Sequence, residues 1–159
     1  MEKYLLKLKV NGQEYELYVN PKTLLVEALR DHIGLRGTKR GCETVSCGAC
    51  TVMIDDMAVK SCSILAVQAE GRHITTAEGL EKNGQLAPIQ KAFLDHGSYQ
   101  CGFCTAGMLM SCEALLKENP TPTRDEIKEG IEGNICRCTG YNSIVRAVEA
   151  VATGKYREE

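Results

Sequence analysis

Apolar and polar positions alternate from the first residues. Tyr4, Leu6, Leu8 and Val10 fall on one side of an extended strand, Asn11-Gly12 follows, and Tyr15, Leu17 and Val19 alternate back. An Asn-Gly pair between two alternating runs supplies the two positive-φ residues of a type I′ turn, so residues 4–19 are expected to form a β-hairpin. Pro21-Lys22-Thr23 ends it, with Thr23 as the expected N-cap of a helix. The period then changes: Leu24, Leu25, Ala28, Leu29, His32 and Ile33 recur at helical spacing until Gly34. Two strands and a crossing helix open a β-grasp.

Further on, Thr51–Ile54 reads as a strand, Asp55-Asp56 as a turn and Ala58–Cys62 as the return strand. A short helix over Ser63–Ala69 and a strand over His73–Thr76 complete this half. The second half is helical. Pro88–His96 is one helix. Met108, Leu109, Cys112, Leu115 and Leu116 mark another. Thr123-Arg124-Asp125-Glu126 has the form of a capping box opening a third, and Ile144, Val145, Val148 and Val151 mark a fourth. Asn83-Gly84 marks the loop between the halves, and the chain is expected to divide into residues 1–78 and 79–159. No internal repeat is present, because the cysteine spacings of the two halves differ.

Composition sharpens this picture in one respect. Of 159 residues nine are cysteine, two are phenylalanine and none is tryptophan. A chain poor in large aromatics draws stability from another source, and metal–thiolate bonds are one. Charge adds little: 19 basic and 21 acidic residues give a net charge of −2, with no long run of one sign. That argues against a nucleic-acid surface or a polybasic membrane patch. Met1-Glu2-Lys3-Tyr4-Leu5-Leu6 has no secretory h-region, and no apolar run approaches the ~18 residues that span a bilayer. The expected compartment is the cytosol, where dense cysteine means metal or redox chemistry more often than disulfides.

The cysteines fall into two sets. Cys42-x4-Cys47-Gly48-x-Cys50, with Cys62 a hairpin further on, has the C-x4-C-x2-C spacing of plant-type 2Fe–2S ferredoxins. Small residues such as Gly48 and Ala49 let backbone amides approach anionic sulfur. A four-cysteine zinc site is the competing reading, but zinc favours pairs on both sides, and here three cysteines face one. The second set is Cys101-x2-Cys104 with Cys136-x-Cys138. Each of its pairs is followed by threonine and then a helix, so two helix N-termini with their free amides converge on it. Cys112, the ninth, lies on an apolar stripe and reads as a buried side chain. His32 is placed on the apolar side of its helix. His73 and His96 are isolated, and no histidine has ligand spacing. The acidic residues form no catalytic pair, and there is no phosphate-binding glycine loop.

Three stretches resemble the small iron–sulfur subunit of the xanthine dehydrogenase (molybdenum hydroxylase) family. They are Gly41-Cys42-x4-Cys47-Gly48-Ala49-Cys50-Thr51-Val52, Gln100-Cys101-Gly102-Phe103-Cys104-Thr105-x-Gly107-Met108 and Gly133-Asn134-x-Cys136-Arg137-Cys138-Thr139-Gly140-Tyr141. The resemblance implies an α+β chain, with an N-terminal plant-ferredoxin-like β-grasp domain and a C-terminal four-helix bundle. It implies that Cys42, Cys47, Cys50 and Cys62 hold a first 2Fe–2S cluster nearer a flavin. Cys101, Cys104, Cys136 and Cys138 would hold a second, nearer a molybdenum cofactor whose pterin is contacted at Gln100 and Cys138. The partners implied are a large molybdopterin-binding subunit and a medium FAD-binding subunit, with no nucleic acid and no membrane. The expected role is an electron relay without catalytic residues of its own; a transiently docking 2Fe–2S carrier and a structural zinc protein are the alternatives. Two positions depart from the family pattern. Ala106 replaces a common proline, and as a strong helix former it is expected to leave ligation intact. Val45 replaces a common glycine. Because valine is strained at positive φ, a slightly different loop path is expected there.

Overall fold

The computed structural model describes residues 3–156; the outermost ends of the two expected domains, residues 1–2 and 157–159, lie outside it. Strands β1 (Tyr4–Val10) and β2 (Gln13–Val19) pair antiparallel with Val10 opposite Gln13. Asn11 and Gly12 between them both take positive φ, 50° and 80°, as a type I′ turn requires. Helix α1 (Leu25–Glu27) runs on into a wider π turn (Ala28–Ile33) that ends at Gly34. Its cap is not Thr23. Leu24 stands at the boundary, and Glu27 reaches back to accept the Leu24 amide at 3.0 Å. Thr23 instead gives its carbonyl to the Ala66 amide, so tertiary pairing claims the residue that local sequence marks as a cap.

Strands β3 (Thr51–Ile54) and β4 (Met57–Lys60) form the second hairpin, and β5 (His73–Thr75) completes a five-stranded sheet of order β2-β1-β5-β3-β4. Only β1 and β5 run parallel. β4 stops at Lys60, so Cys62 lies in the 3-10 turn after it, Ser61–Ser63, rather than on the strand. The expected helix after Ser63 is reduced to a 3-10 turn at Ala66–Ala69.

The helices are α2 (Pro88–Asp95), α3 (Thr105–Glu118), α4 (Arg124–Ile131) and α5 (Asn142–Ala152). α4 opens on the expected capping box: Thr123 Oγ1 accepts the Glu126 amide, and Glu126 Oε2 accepts the Thr123 amide at 2.6 Å.

Two cores result. Leu6, Leu8, Val10, Leu25, Leu29, Val52, Ile54 and Ile74 pack between the sheet and α1. Ile89, Phe93, Met108, Met110, Cys112, Ile127, Ile144 and Val148 pack among the helices, with Cys112 fully buried as its stripe implies. β3 serves both. Its period of two sends Val52 and Ile54 to the sheet core and Met53 to the helical one, and all four of its residues are buried. His32, by contrast, is exposed: the π turn rotates it off the apolar face that a regular helix would have given it.

Candidate metal centres

The loop from Gly41 to Cys50 carries no regular structure, and its form is set by bonds from outside it. Ser61, fully buried, donates its hydroxyl to the Cys50 carbonyl at 2.7 Å and so ties that end of the loop to the turn bearing Cys62. Lys60 Nζ donates to the Val45 carbonyl at 2.8 Å. Val45 itself has φ 62°, the left-handed region. Valine here takes a backbone conformation that favours glycine, and it bears the strain.

Within this loop the Cys47 amide points at Cys42 Sγ, 3.5 Å away. Hydrogen bonds from the Cys47 and Thr44 amides bring the Cys42 thiol down to about 6. Burial pushes Cys47 up. Burial, then a hydrogen bond to Cys50, pushes Cys62 up to about 11. The four sulfurs are thus grouped two by two, Cys42 with Cys47 and Cys50 with Cys62, with the pairs near enough for each to feel the other's charge.

The second set repeats the arrangement. Cys101 pushes the Cys138 thiol up, and Cys136 adds to the burial that raises Cys104, so the members of each pair are neighbours. α3 starts immediately after Cys104 and α5 four residues after Cys138, which places both helix N-termini beside the set. Burial raises the Cys136 thiol, but the Thr139 hydroxyl at 3.0 Å and the Thr139 and Cys138 amides outweigh it and leave it below the ordinary range. Burial, with Cys136 as neighbour, raises Cys104 to about 12. Tyr141 closes the loop from below. Its φ is 68°, and its hydroxyl accepts the Cys136 amide at 2.8 Å. Gln100 Nε2 donates to the Cys138 carbonyl at 3.0 Å, so the two residues that resemblance assigns to a pterin stand together, with Cys101 and Cys138 exposed beside them.

Two-by-two grouping is what a binuclear iron–sulfur cluster asks of its protein, since each of two irons takes two thiolates. Among the described residues, no three Cys, His, Asp or Glu side chains are gathered as around one ion. The donor set is all sulfur, soft, and met by backbone amides, which suits an anionic cluster. Grooves of about 800 and 850 Å³ run along α3, and neither is lined by any of the eight cysteines.

Asn134, Thr139, Tyr141 and Phe103 escape a reading based on spacing. Phe103 lays its ring against Gly41, where a Cβ would come within 2.9 Å of it, and so spans the two loops. All four lie inside the quoted motifs, but nothing in a cysteine pattern distinguishes them.

The fold and the paired thiols define a two-centre iron–sulfur protein. Residues 8–84 match the family of 2Fe–2S iron–sulfur cluster binding domains, and residues 76–149 match a second family, the 2Fe–2S binding domain. The chain is 50% identical to the nicotine 6-hydroxylase small subunit of Paenarthrobacter nicotinovorans, over 89% of this chain and 85% of that one. It is 45% identical to the xanthine dehydrogenase iron–sulfur-binding subunit of Escherichia coli O157:H7, covering 92% and 93% respectively. Among solved structures, quinoline 2-oxidoreductase from Pseudomonas putida 86 superposes with a TM-score of 0.93 at 46% identity, over 100% of this chain and 99% of the matched one. The chain belongs to the small iron–sulfur subunits of the xanthine dehydrogenase, or molybdenum hydroxylase, family. It is an electron-transfer subunit of an oxidoreductase complex, and no helix of its described residues is long and apolar enough to cross a membrane.

Proposed function

We propose that this subunit carries electrons between a large molybdopterin-binding subunit and a medium FAD-binding subunit in the cytosol. Cys42 with Cys47, and Cys50 with Cys62, would hold the two irons of one 2Fe–2S cluster; Cys101 with Cys138, and Cys104 with Cys136, would hold those of the other. When bound, such clusters accept and release one electron each. The protein's own part is to fix, solvate and tune. The Cys47, Thr44 and Thr139 amides and the Thr139 hydroxyl aim partial positive charge at sulfur. Cys50 and Cys136 are buried, whereas Cys101 and Cys138 are open to the outside with Gln100 between them and a partner. That exposed edge is where a pterin held by the large subunit would be met, by Gln100 and Cys138. The chain contributes no acid, base or nucleophile to the reaction, and the substrate pocket belongs to the molybdenum subunit.

The pairing of thiols in each set carries this reading. Its test is iron, acid-labile sulfide and zinc analysis of anaerobically purified protein, with electron paramagnetic resonance after dithionite reduction. Four iron, four sulfide and two distinct signals are expected, with Cys104→Ser losing one signal and the turnover of the complex. Stoichiometric zinc without sulfide would leave a structural zinc protein instead. Two clusters in a chain that never copurifies with larger subunits would make it a freely docking carrier.

A further inference from the structure

Between the two cysteine sets lies a seam that the relay does not by itself require. The chain returns so that residues 133–135, just ahead of Cys136, lie against Gly48, just after Cys47. Asn134 at its centre is only 4% exposed. Its Nδ2 donates to the Gly48 carbonyl at 3.0 Å and to Thr51 Oγ1 at 3.3 Å, while its Oδ1 accepts the Ser111 hydroxyl at 2.7 Å. One side chain therefore joins the first cysteine loop, strand β3 and helix α3. The residue after it, Ile135, donates its amide to the Cys47 carbonyl at 2.9 Å.

The consequence is a short covalent and hydrogen-bonded link. From Cys47 one crosses its carbonyl, a single hydrogen bond and the backbone of Ile135, and arrives at Cys136. Nothing may stand between the loops. A Cβ on Gly48 would overlap the Gly133 carbonyl, and one on Gly107 would overlap the Gly48 carbonyl. Ile135 is itself 56% exposed, so its own packing does not hold that amide in place. The buried side chain one residue earlier does.

We propose that Asn134 is a positioning residue for inter-centre electron transfer: it holds the Ile135 amide on the Cys47 carbonyl and thereby sets the separation and coupling of the two centres. The inference rests on the two-cluster reading above. On that reading one electron at a time would pass between the centre held by Cys136 and that held by Cys47, with no bond made or broken. The reductant would be the substrate oxidised on the partner, and the final oxidant the partner's flavin. Asn134 touches neither centre and acts through the backbone.

The test uses the complete complex with Asn134→Ala, Asn134→Asp and Ser111→Ala, after iron and sulfide have been counted in each. Asn134→Ala is expected to keep four iron. Deuterium exchange at the Ile135 amide should rise about tenfold, as the loss of a buried hydrogen-bonding clamp implies. The magnetic interaction between the two reduced centres should weaken, and electrons should re-equilibrate between them more slowly. Asn134→Asp keeps an acceptor for Ser111 but sets oxygen against the Gly48 carbonyl, so its effect should be at least as large. Ser111→Ala should move all three readouts the same way by less. Variants that keep both centres with unchanged exchange and unchanged interaction would overturn the proposal. If the Asn134 variants lose iron or fail to fold, Ser111→Ala decides, since Ser111 contacts neither cysteine set. A wild-type complex without two interacting centres would remove the two-cluster reading and this inference with it, whereas interacting wild-type centres with indifferent variants would remove the inference alone.

Discussion

At the scale of single residues, strain and protonation are the readable quantities. Val45 sits at φ 62° although nothing about its side chain, 39% exposed, rewards that conformation. A left-handed non-glycine residue costs roughly 1–2 kcal/mol, more when β-branched, while glycine costs about 0.5–1 kcal/mol in the unfolded chain. Relief wins by a small margin. Val45→Gly is expected to stabilise the protein by about 0.5–1 kcal/mol, read as a higher urea midpoint at constant slope; a lower midpoint would show that valine is not strained there. A second prediction concerns the iron-free chain. A thiol held at about 6 is largely thiolate at pH 7, whereas one raised to about 12 is protonated, and thiolate is the reactive form. Alkylation at pH 7 followed by mass spectrometry should therefore modify Cys42 well before Cys104, and fully buried Cys112 last. Equal rates at Cys42 and Cys104 would contradict the amide contacts described for the first loop. Between pH 8 and pH 7 the Cys42 rate should hardly change, because that thiol stays largely thiolate, whereas the Cys104 rate should fall about tenfold with its thiolate fraction.

At the scale of elements, the sequence was legible wherever a local signal and its tertiary partner agreed. The Asn11-Gly12 turn, strand β3 and the Thr123–Glu126 box fall where their patterns place them, because each carries its hydrogen-bond partner within a few residues. Thr23 does not cap α1, since the Ala66 amide claims its carbonyl from 43 residues away (66 − 23). The π turn and the 3-10 turns around Cys62 have no sequence period of their own, so a regular helical period puts His32 on the buried face and strand alternation puts Cys62 on a strand, where the structure has neither. The cysteines were legible by spacing; Asn134 and Tyr141 were not, because their contacts depend on how two loops meet. Glycines in helices test this distinction. In α3, Gly107→Ala gains up to about 1 kcal/mol of helix propensity but drives a Cβ into the rigid Gly48 carbonyl, an overpacking worth roughly 1–3 kcal/mol. Net destabilisation of about 1–2 kcal/mol is expected. In α4, the Cβ of Gly130→Ala would meet only the end of the Leu115 side chain, 2.9 Å away, which can turn aside. That variant should be neutral or slightly stabilising in chemical denaturation. If both variants behaved alike, backbone proximity between α3 and the first cysteine loop would not be the operative constraint.

At the scale of the whole molecule, the question is whether the expected division into residues 1–78 and 79–159 is a division of stability. Each half has its own core, and two independent unfolding events would follow if only a linker joined them. The contacts argue for coupling instead. Met53, 1% exposed, stands on a strand of the sheet yet packs in the helical core with Met108 and Phe93. Asn134 and Ile135 bind the Cys47–Thr51 segment, and Lys117 pairs with Asp56 across the groove. We predict that the cluster-loaded subunit unfolds in one thermal transition whose calorimetric and van't Hoff enthalpies agree. Met53→Ala removes a fully buried side chain and should cost roughly 2–4 kcal/mol. Because the site belongs to both halves, that loss should shift the single transition as a whole rather than split it. Removing iron and sulfide should lower the midpoint further, since thiolate–metal bonds form only in the folded chain and their free energy is folding free energy. Two resolved transitions in the loaded protein, with Met53→Ala moving only the helical one, would show that the halves are stable apart. The seam at Asn134 would then be a docking contact and not part of one cooperative fold.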